Sequence, residues 1–407
     1  MLQLTTNGFD WLGEKSLTEM TVDELARKGA RRIIVEALML EVAEYIEALK
    51  HERDRQGHAL VVRNGYGRPR KITVGSGTIE IAAPRVNDRR QGKKFTSSIL
   101  PPYMRRSPDV NEVLPILYLK GLSSGDFSDA LKCLLGEAAS GLSAASITRL
   151  KKIWEEEYKS FKRRDLTDKD YVYIWADGVH LSVRLEDERL CLLVIIGVTI
   201  DGKKEIVAVE DGYRESKESW ASLLRDLSRR GMKAPVLAVG DGALGFWAAT
   251  RDVWPETKEE RCWVHKIANV LDKLPKKLQP KAKELMREMM YAPDKEYCLD
   301  QMELFKKEYD AKYPKAVECL LKDKETLTTH FDFPAEHWTH IRSTNPIEST
   351  FSTVKLRTRV TKGAGSRSAG LAMAFKLLEG AQGRWRKVNA PQLVAKVRQG
   401  VVFVDGI

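Results

Sequence analysis

Apolar and polar residues follow different periods along this chain, and each regime predicts a different kind of element. Residues 21–56 read as helix: Thr21 and Glu24 have capping-box spacing, and Ala30–Arg55 contains neither Gly nor Pro. The alternating acids and bases of Glu41–Arg55 read as a solvated face of that helix. Residues 61–110 are punctuated by Gly and Pro, with Lys71–Val74 and Thr78–Ile81 around Gly75-Ser76-Gly77 predicting a small hairpin. Residues 110–160 return to a helical period, and Asp126–Leu135, the turn at Gly136–Leu142 and Ser143–Lys159 predict a helix–turn–helix.

From Tyr171 the period shortens. Tyr171–Ala176 is an apolar run stopping at Asp177-Gly178, and Leu190–Ile200 with Lys204–Glu210 predicts a hairpin through Asp201-Gly202. Val236–Val239 is a short buried strand ending at Gly240-Asp241-Gly242, and Glu260–Val264 is another; amphipathic Ser216–Arg230 and Ala243–Val253 are helices between them. This order predicts an α/β domain, a mixed sheet with helices on its faces and both aspartates at strand ends. Residues 265–340 read as an all-helical insertion, with helices at Lys266–Leu274, Pro280–Tyr291, Asp294–Tyr313 and Pro314–His330. The tail adds a helix, Ala369–Gly380, and a basic aromatic patch at Arg384–Lys387, whose Trp385 is read as half-buried in preference to base-stacking.

The segment Arg342–Lys355 carries the densest chemistry. Asn345 is a candidate helix cap, Pro346 suits a first helical position, and Glu348 lies three residues past the cap. Ile347, Phe351 and Val354 then form an apolar stripe. Glu348, Ser352, Lys355 and Arg359 form a polar stripe beside it, with Glu348 and Lys355 roughly 10 Å apart along the axis. A competing reading makes Glu348 the acidic half of a capping box, bound to backbone N–H groups.

Composition narrows the functional classes. A length of 407 residues allows roughly two to three domains, and 43% hydrophobic with 31% charged residues fits a globular protein. A net charge of +11 favours a polyanionic partner. Residues 61–110 concentrate that charge, with eleven Lys or Arg against three acids, and read as a phosphate-binding surface, with a solvated linker as the alternative. The five cysteines are scattered and form no C-x-x-C pair, which argues against a disulfide framework and for a reducing, cytoplasmic setting. The N-terminus has no signal pattern, and the most apolar run, Leu190–Val198, is far below the ~20 residues of a membrane span.

Asp177, Asp241 and Glu348, brought to one point of a sheet domain, would supply the oxygen ligands that two hard divalent ions require. Two such ions about 4 Å apart cleave or transfer phosphodiesters. Lys355 would hold a DNA phosphate nearby. Ala144, Ser146, Thr148, Arg149, Lys151 and Lys152 would begin a recognition helix, and Arg63, Arg68 and Arg70 belong to the basic module. Cys262 and His265, with His337 and His340, could compose a zinc site; the favoured alternative has Cys262 packing beneath the site and His265 contacting a phosphate or a carboxylate.

The chain resembles the Mutator-type transposases of bacterial insertion sequences, a branch of the DDE transposases with a ribonuclease-H-like catalytic domain. The matching stretches are RNGYGRPRKITVGSGTIEIAAPR (63–85), LYLKGLSSGDFSDAL (117–131), LSAASITRL (142–150), WADGVH (175–180), GDGALG (240–245), RCWVHK (261–266), HWTHIRSTNPIES (337–349) and TVKLRTRVTKGAGS (353–366). The resemblance implies that Asp177, Asp241 and Glu348 are the catalytic, Mg²⁺- or Mn²⁺-binding triad, with two ions per site. It matches Lys355 to a basic residue after the glutamate, Asn345 to the asparagine before it, and Cys262 and His265 to a Cys-x-x-His element; Arg357 lies in the last matched stretch as a further DNA contact.

It also implies binding to terminal inverted repeats and target DNA, strand transfer, and a homodimer or larger assembly in the bacterial cytoplasm, associated with the nucleoid. No membrane or small-molecule substrate is expected. The domain organisation expected is an N-terminal helical region (1–60), a basic module (61–110), a helix–turn–helix region (111–165), a catalytic core in two parts (166–264 and 341–407), and the helical insertion (265–340) between those parts. A DNA-binding repressor or domesticated protein without chemistry, and a plain nuclease, are the alternatives.

Overall fold

The structure, a computed structural model, describes residues 20–119, 144–181, 190–212, 216–360 and 366–407. The chain forms two compact units, residues 1–148 and 149–407.

In the first unit a long helix, α1 (Val22–Ala48), opens with the expected capping box at Thr21 and Glu24. Two antiparallel pairs follow: β1 (Val61–Tyr66) with β4 (Pro84–Asp88), and β2 (Arg70–Val74) with β3 (Gly77–Ile81). The second pair is the expected hairpin. Ile72, Ile79 and Ile81 from it bury with Leu38 of α1 and with Leu100. The stretch 61–110 is therefore neither a linker nor surface alone, because alternate apolar positions on two short strands find a helix to cover them. Glu41 of α1 is drawn out of the solvated face to accept bonds from Ser97 and Ser98. Helix α2 (Pro108–Leu119) follows. The first helix and turn of the expected helix–turn–helix, 126–142, lie outside the described residues. Its second helix is α3 (Ala144–Arg163), and the boundary between the two units falls within it.

The second unit is built on a five-stranded mixed sheet, in the order β7-β6-β5-β8-β9. Its strands are β5 (Tyr171–Leu181), β6 (Leu190–Thr199), β7 (Lys204–Gly212), β8 (Leu237–Gly240) and β9 (Lys258–Arg261). β5, β6 and β7 pair antiparallel, while β5–β8 and β8–β9 are parallel. Every residue of β6 is buried, as a central strand covered on both faces demands. Helices α4 (Lys217–Arg229) and α5 (Leu244–Val253) cover one face: Trp220, Leu224, Phe246 and Trp247 bury against Ile174, Ala176, Leu193 and Ile195.

A helical stretch follows β9: α6 (Trp263–Leu271), α7 (Gln279–Met290), α8 (Lys295–Tyr309), α9 (Pro314–Leu321), α10 (Lys324–Leu327), a 3₁₀ turn (Thr329–Asp332) and α11 (Ala335–Ile341). Then come α12 (Asn345–Val360), α13 (Arg367–Gln382) and α14 (Gln392–Arg398). α11 and α12 return to the sheet's second face. There the Tyr173 hydroxyl meets His337 Nδ1 at 2.7 Å, and Trp175 Nε1 donates to the His340 carbonyl at 3.1 Å. The expected stripe of α12 is realised, with Ile347, Phe351 and Val354 all 2% exposed or less, and the helix packs on β5 and α13. Truncating Phe351 would remove roughly 3–5 kcal/mol of stability.

Four expectations shift. Helix α1 ends at Ala48 rather than running to residue 56, where the chain turns back through an Arg53–Ala59 bridge. β5 does not stop at Asp177 but continues to Leu181, because β6 keeps pairing with it after its parallel neighbour β8 has ended at Gly240. Residues 262–264 are not strand: the chain turns at Cys262, and helix begins three residues earlier than Lys266. The expected single helix Pro314–His330 is broken into α9, α10 and the 3₁₀ turn.

Candidate active site

Strand register places the first two carboxylates. In the β5–β8 ladder Trp175 pairs with Val239 and Ala176 with Gly240. One step further, Asp177 continues β5 and Asp241 is the first residue past the end of β8, so the two aspartates follow paired residues of neighbouring parallel strands. Side chains alternate between faces along a strand, so Asp177 shares the face of Tyr173 and Trp175, the face that α11 and α12 cover. Gly240 faces the other way, since a Cβ there would stand 2.9 Å from Trp247. Each aspartate accepts a nearby backbone N–H, Asp177 from Gly178 and Asp241 from Ala243, both at 2.8 Å. Gly242 turns the chain at a φ of +91°, and a Cβ there would meet the Arg261 Nε at 2.2 Å. Only glycine combines that conformation with that approach.

The third carboxylate is tied in through β9. The Cys262 N–H donates to the Gly240 carbonyl at 2.8 Å, which puts Cys262 beside the residue preceding Asp241. The Trp263 N–H donates to the Arg342 carbonyl at 3.0 Å, drawing the start of α12 to the start of α6. The cap of α12 is Thr344, not Asn345: its carbonyl accepts the Ile347 and Glu348 N–H groups at 3.0 Å each. Glu348 therefore sits one position deeper in the helix than a capping-box residue, and its carboxylate takes the Thr344 hydroxyl at 2.6 Å.

Thr344 is fully buried and surrounded by partners. Its hydroxyl lies 3.2 Å from Cys262 Sγ and 3.3 Å from His265 Nδ1, and its N–H lies 3.3 Å from Cys262 Sγ. A hydroxyl has one proton, and 2.6 Å is the length of a bond to a carboxylate, so Glu348 receives it. Cys262 then takes the backbone N–H. His265 Nδ1 stands 3.6 Å from Glu348 Oε1, each side chain about one-third exposed. Bonding to Cys262, together with the charges of Glu348 and Asp241, raises the His265 pKa to about 9. Burial alone would push the Cys262 thiol up, yet the bonds from His265 and Thr344 hold it below its usual value. His265 is thus the common neighbour of Cys262, Asp241 and Glu348.

Behind the site, fully buried Lys266 bonds the Cys319 carbonyl and Asp323, and the Arg261 Nε stands 3.5 Å from the same Asp323. These groups tie the Asp241 turn to α9 and α10. The four-ligand zinc arrangement is not formed. His337 is engaged by Tyr173 and the Ala390 carbonyl, and His340 accepts the Asn389 N–H, while the cluster of potential metal ligands among the described residues is Cys262, His265 and Glu348.

Lys355 and Asn345 are exposed on α12, as are Arg149 and Lys152 on α3; Lys151 is half-buried. Arg357 falls on α12, and its side chain lies outside the described ones. Arg68 is exposed, and the exposed Arg63 bonds the Tyr66 hydroxyl at 2.6 Å. Arg70 is held by the Leu100 and Pro101 carbonyls at 2.9 and 3.1 Å. Arg90 is held by Asp88 and Tyr45. Part of the basic module's charge is thereby spent on its own fold.

Sequence reasoning missed Thr344 and Arg261. Pro346 is compatible with either of the first two helical positions, since both lack an intrahelical N–H partner, so Thr344 and Asn345 were equivalent as caps. Arg261 carried no sequence signal separating it from a surface arginine.

The sequence model of the family "Transposase, Mutator family" matches residues 8–387. The transposase for insertion sequence element IS6120 of Mycolicibacterium smegmatis is 59% identical over 297 residues, 73% of this chain and 92% of that protein. The transposase for IST2 of Acidithiobacillus ferrooxidans is 50% identical over 287 residues, 69% of this chain and 95% of its own length. The transposase for IS905 of Lactococcus lactis is 27% identical over 360 residues, 88% of both chains.

Proposed function

The chain belongs to the Mutator family of transposases, and from that membership we propose that it works as the transposase of a bacterial insertion sequence, with Asp177, Asp241 and Glu348 as its catalytic carboxylates. One continuous set of bonds carries the reading. Ala176 pairs with Gly240, Gly240 accepts the Cys262 N–H, Cys262 meets Thr344, and Thr344 bonds Glu348. Residues far apart in sequence are thereby linked around the β5 and β8 strands of a mixed sheet, which supports the ribonuclease-H-like reading of the core and of 265–340 as its helical insertion.

The donor set fits hard divalent ions, consisting only of carboxylate oxygens, and Asp177, Asp241 and Glu348 would hold two Mg²⁺ or Mn²⁺. Such ions supply Lewis acidity at the attacked phosphate and stabilise the leaving oxygen. The chain's own groups orient what binds there. The Gly178 and Ala243 N–H groups fix the two aspartates, and the Thr344 hydroxyl and His265 fix Glu348. Lys355, two turns beyond Glu348 on α12, holds a DNA phosphate, with Asn345 and Arg357 as further contacts. Arg149 and Lys152 on α3, and Arg63 and Arg68 in the basic module, bind terminal inverted repeats. Pairing of two ends requires a homodimer or larger assembly, acting on DNA in the bacterial cytoplasm. No helix among the described residues is long and apolar enough to cross a membrane.

The deciding experiment is strand transfer in vitro on a labelled duplex carrying one element end, in Mg²⁺ or EDTA. Cleavage and joining should require metal and fall to background in Asp177→Asn, Asp241→Asn and Glu348→Gln, with end binding retained. Wild-type activity in any one variant removes that residue from the site; cleavage without joining makes the protein a nuclease.

A further inference from the structure

Glu348 has close neighbours of a different chemistry from the two aspartates. A Cys262 sulfur, a His265 nitrogen and a Glu348 oxygen all lie within 4.8 Å of one another. Three points so spaced share a centre no more than about 2.8 Å from each, and zinc bonds to S, N and O are roughly 2.0–2.3 Å long. Inward shifts of about half an ångström or more therefore complete three coordination bonds. Cys262 and His265 frame the first turn of α6, and Glu348 lies in the first turn of α12. The Trp263–Arg342 and Thr344–Cys262 bonds clamp those two turns together. Cys262 is fully buried, while His265 and Glu348 are each 34% exposed, so the cluster is open to solvent on their side, where a water would complete a four-coordinate site.

A thiolate, an imidazole and a carboxylate make a donor set that selects Zn²⁺ or Cd²⁺ over Mg²⁺ and Mn²⁺. His337 and His340 do not join it, being committed to Tyr173, Ala390 and Asn389.

We propose that Cys262, His265 and Glu348 form a binding site for a soft or borderline divalent cation, and that its occupation withdraws Glu348 from Asp177 and Asp241. The withdrawal rests on the three-carboxylate reading of the active site; the binding does not. On binding, the imidazolium proton of His265 and the proton of the Cys262 thiol both leave to solvent, so that the two coordinate as neutral imidazole and thiolate, and Glu348 exchanges the Thr344 hydroxyl for the cation. The cluster would then act as an inhibitory sensor of thiophilic metal, set beside a catalytic site for hard ions.

Full-length protein is titrated with Cd²⁺ while the ultraviolet thiolate-to-metal charge-transfer band is followed, in wild type, Cys262→Ser and Glu348→Gln. Wild type should give a saturable band, Cys262→Ser should lose it, and Glu348→Gln should need at least about tenfold more Cd²⁺. No band in wild type, or a band retained in Cys262→Ser, overturns the site. If Cys262→Ser fails to fold, Glu348→Gln decides alone, and an unchanged Cd²⁺ midpoint overturns it. Wild-type strand transfer in Mg²⁺ is then challenged with Cd²⁺: loss reversed by a thiol-rich chelator supports withdrawal, and undiminished joining at a saturated band overturns it. A protein that joins no strands in Mg²⁺ alone counts against the transposase chemistry instead, and the Cd²⁺ band still decides the cation site.

Discussion

Replacing Thr344 by Val isolates one atom of the candidate site. The substitution keeps the shape of a fully buried side chain and deletes the hydroxyl that bonds Glu348 at 2.6 Å. A hydrogen bond to a charged group contributes about 1.5–3 kcal/mol net, and 1.4 kcal/mol is a factor of ten, so the orientation of Glu348 should weaken by roughly 10- to 150-fold. If Glu348 completes a metal site, that weakening appears as a higher Mg²⁺ requirement. The assay is the initial rate of strand transfer against Mg²⁺ concentration for wild type, Thr344→Val and Thr344→Ser. Half-saturation is expected to rise by about tenfold or more in Thr344→Val and to return towards wild type in Thr344→Ser, which keeps the hydroxyl. Both the positioning and a merely structural role lower the melting temperature of Thr344→Val, so only the Mg²⁺ dependence separates them. A Thr344→Val curve that superposes on wild type refutes the argument that this hydroxyl holds Glu348 for metal.

Gly242→Ala places a Cβ at a φ of +91° against the buried Arg261 guanidinium; a loss of about 1–3 kcal/mol in thermal unfolding and impaired cleavage are expected, and an unchanged melting temperature would contradict the geometry. The raised pKa of His265, about 9, makes its contribution to stability present in full below its ordinary value near 6.5 and lost as pH rises through about 9. The difference in melting temperature between wild type and His265→Asn should therefore be constant at low pH and shrink from about pH 6.5 to pH 9, and a flat difference across that window would remove the Cys262–His265 pairing from the account.

Much of the second unit was legible wherever one physical signal dominated. The uninterrupted apolar run at Leu190–Val198 read as a buried strand, and the Asp201-Gly202 turn gave the hairpin to the next strand. The 3.6-residue stripe Ile347, Phe351, Val354 held because nothing local competed with it. Sequence reading failed where tertiary partners override local preference. Residues 262–264 are as apolar as a strand, but Trp263 is needed beneath the helical segment, where its Nε1 donates to the Leu327 carbonyl at 2.8 Å. Asp177 looked terminal because Gly178 follows it, and only the unequal lengths of β5 and β8 reveal that it sits mid-strand. The β1–β4 pair was obscured by Arg63, Gly65 and Arg85, whose side chains say nothing about pairing. At the site, the aspartates could be nominated from their place at expected strand ends and the glutamate from its helical polar stripe. The Thr344 contacts could not, because they depend on which of two equivalent residues caps α12.

The backbone bond between Trp263 and Arg342 makes the whole helical segment an excursion that leaves and re-enters the core at a single point. Loop-closure entropy grows only logarithmically with length, so doubling such an excursion adds about 0.6 kcal/mol. Provided the inner ties of Lys266 to Asp323, Trp263 to Leu327 and Arg342 to the Met290 carbonyl are kept, the outer parts of α7 and α8 can lengthen, shorten or be exchanged without displacing Cys262, His265, Thr344 or Glu348. The fold therefore separates a part free to diversify from a part that must not move, and the outer helices offer a position at which a foreign domain could be grafted while the carboxylates stay in register.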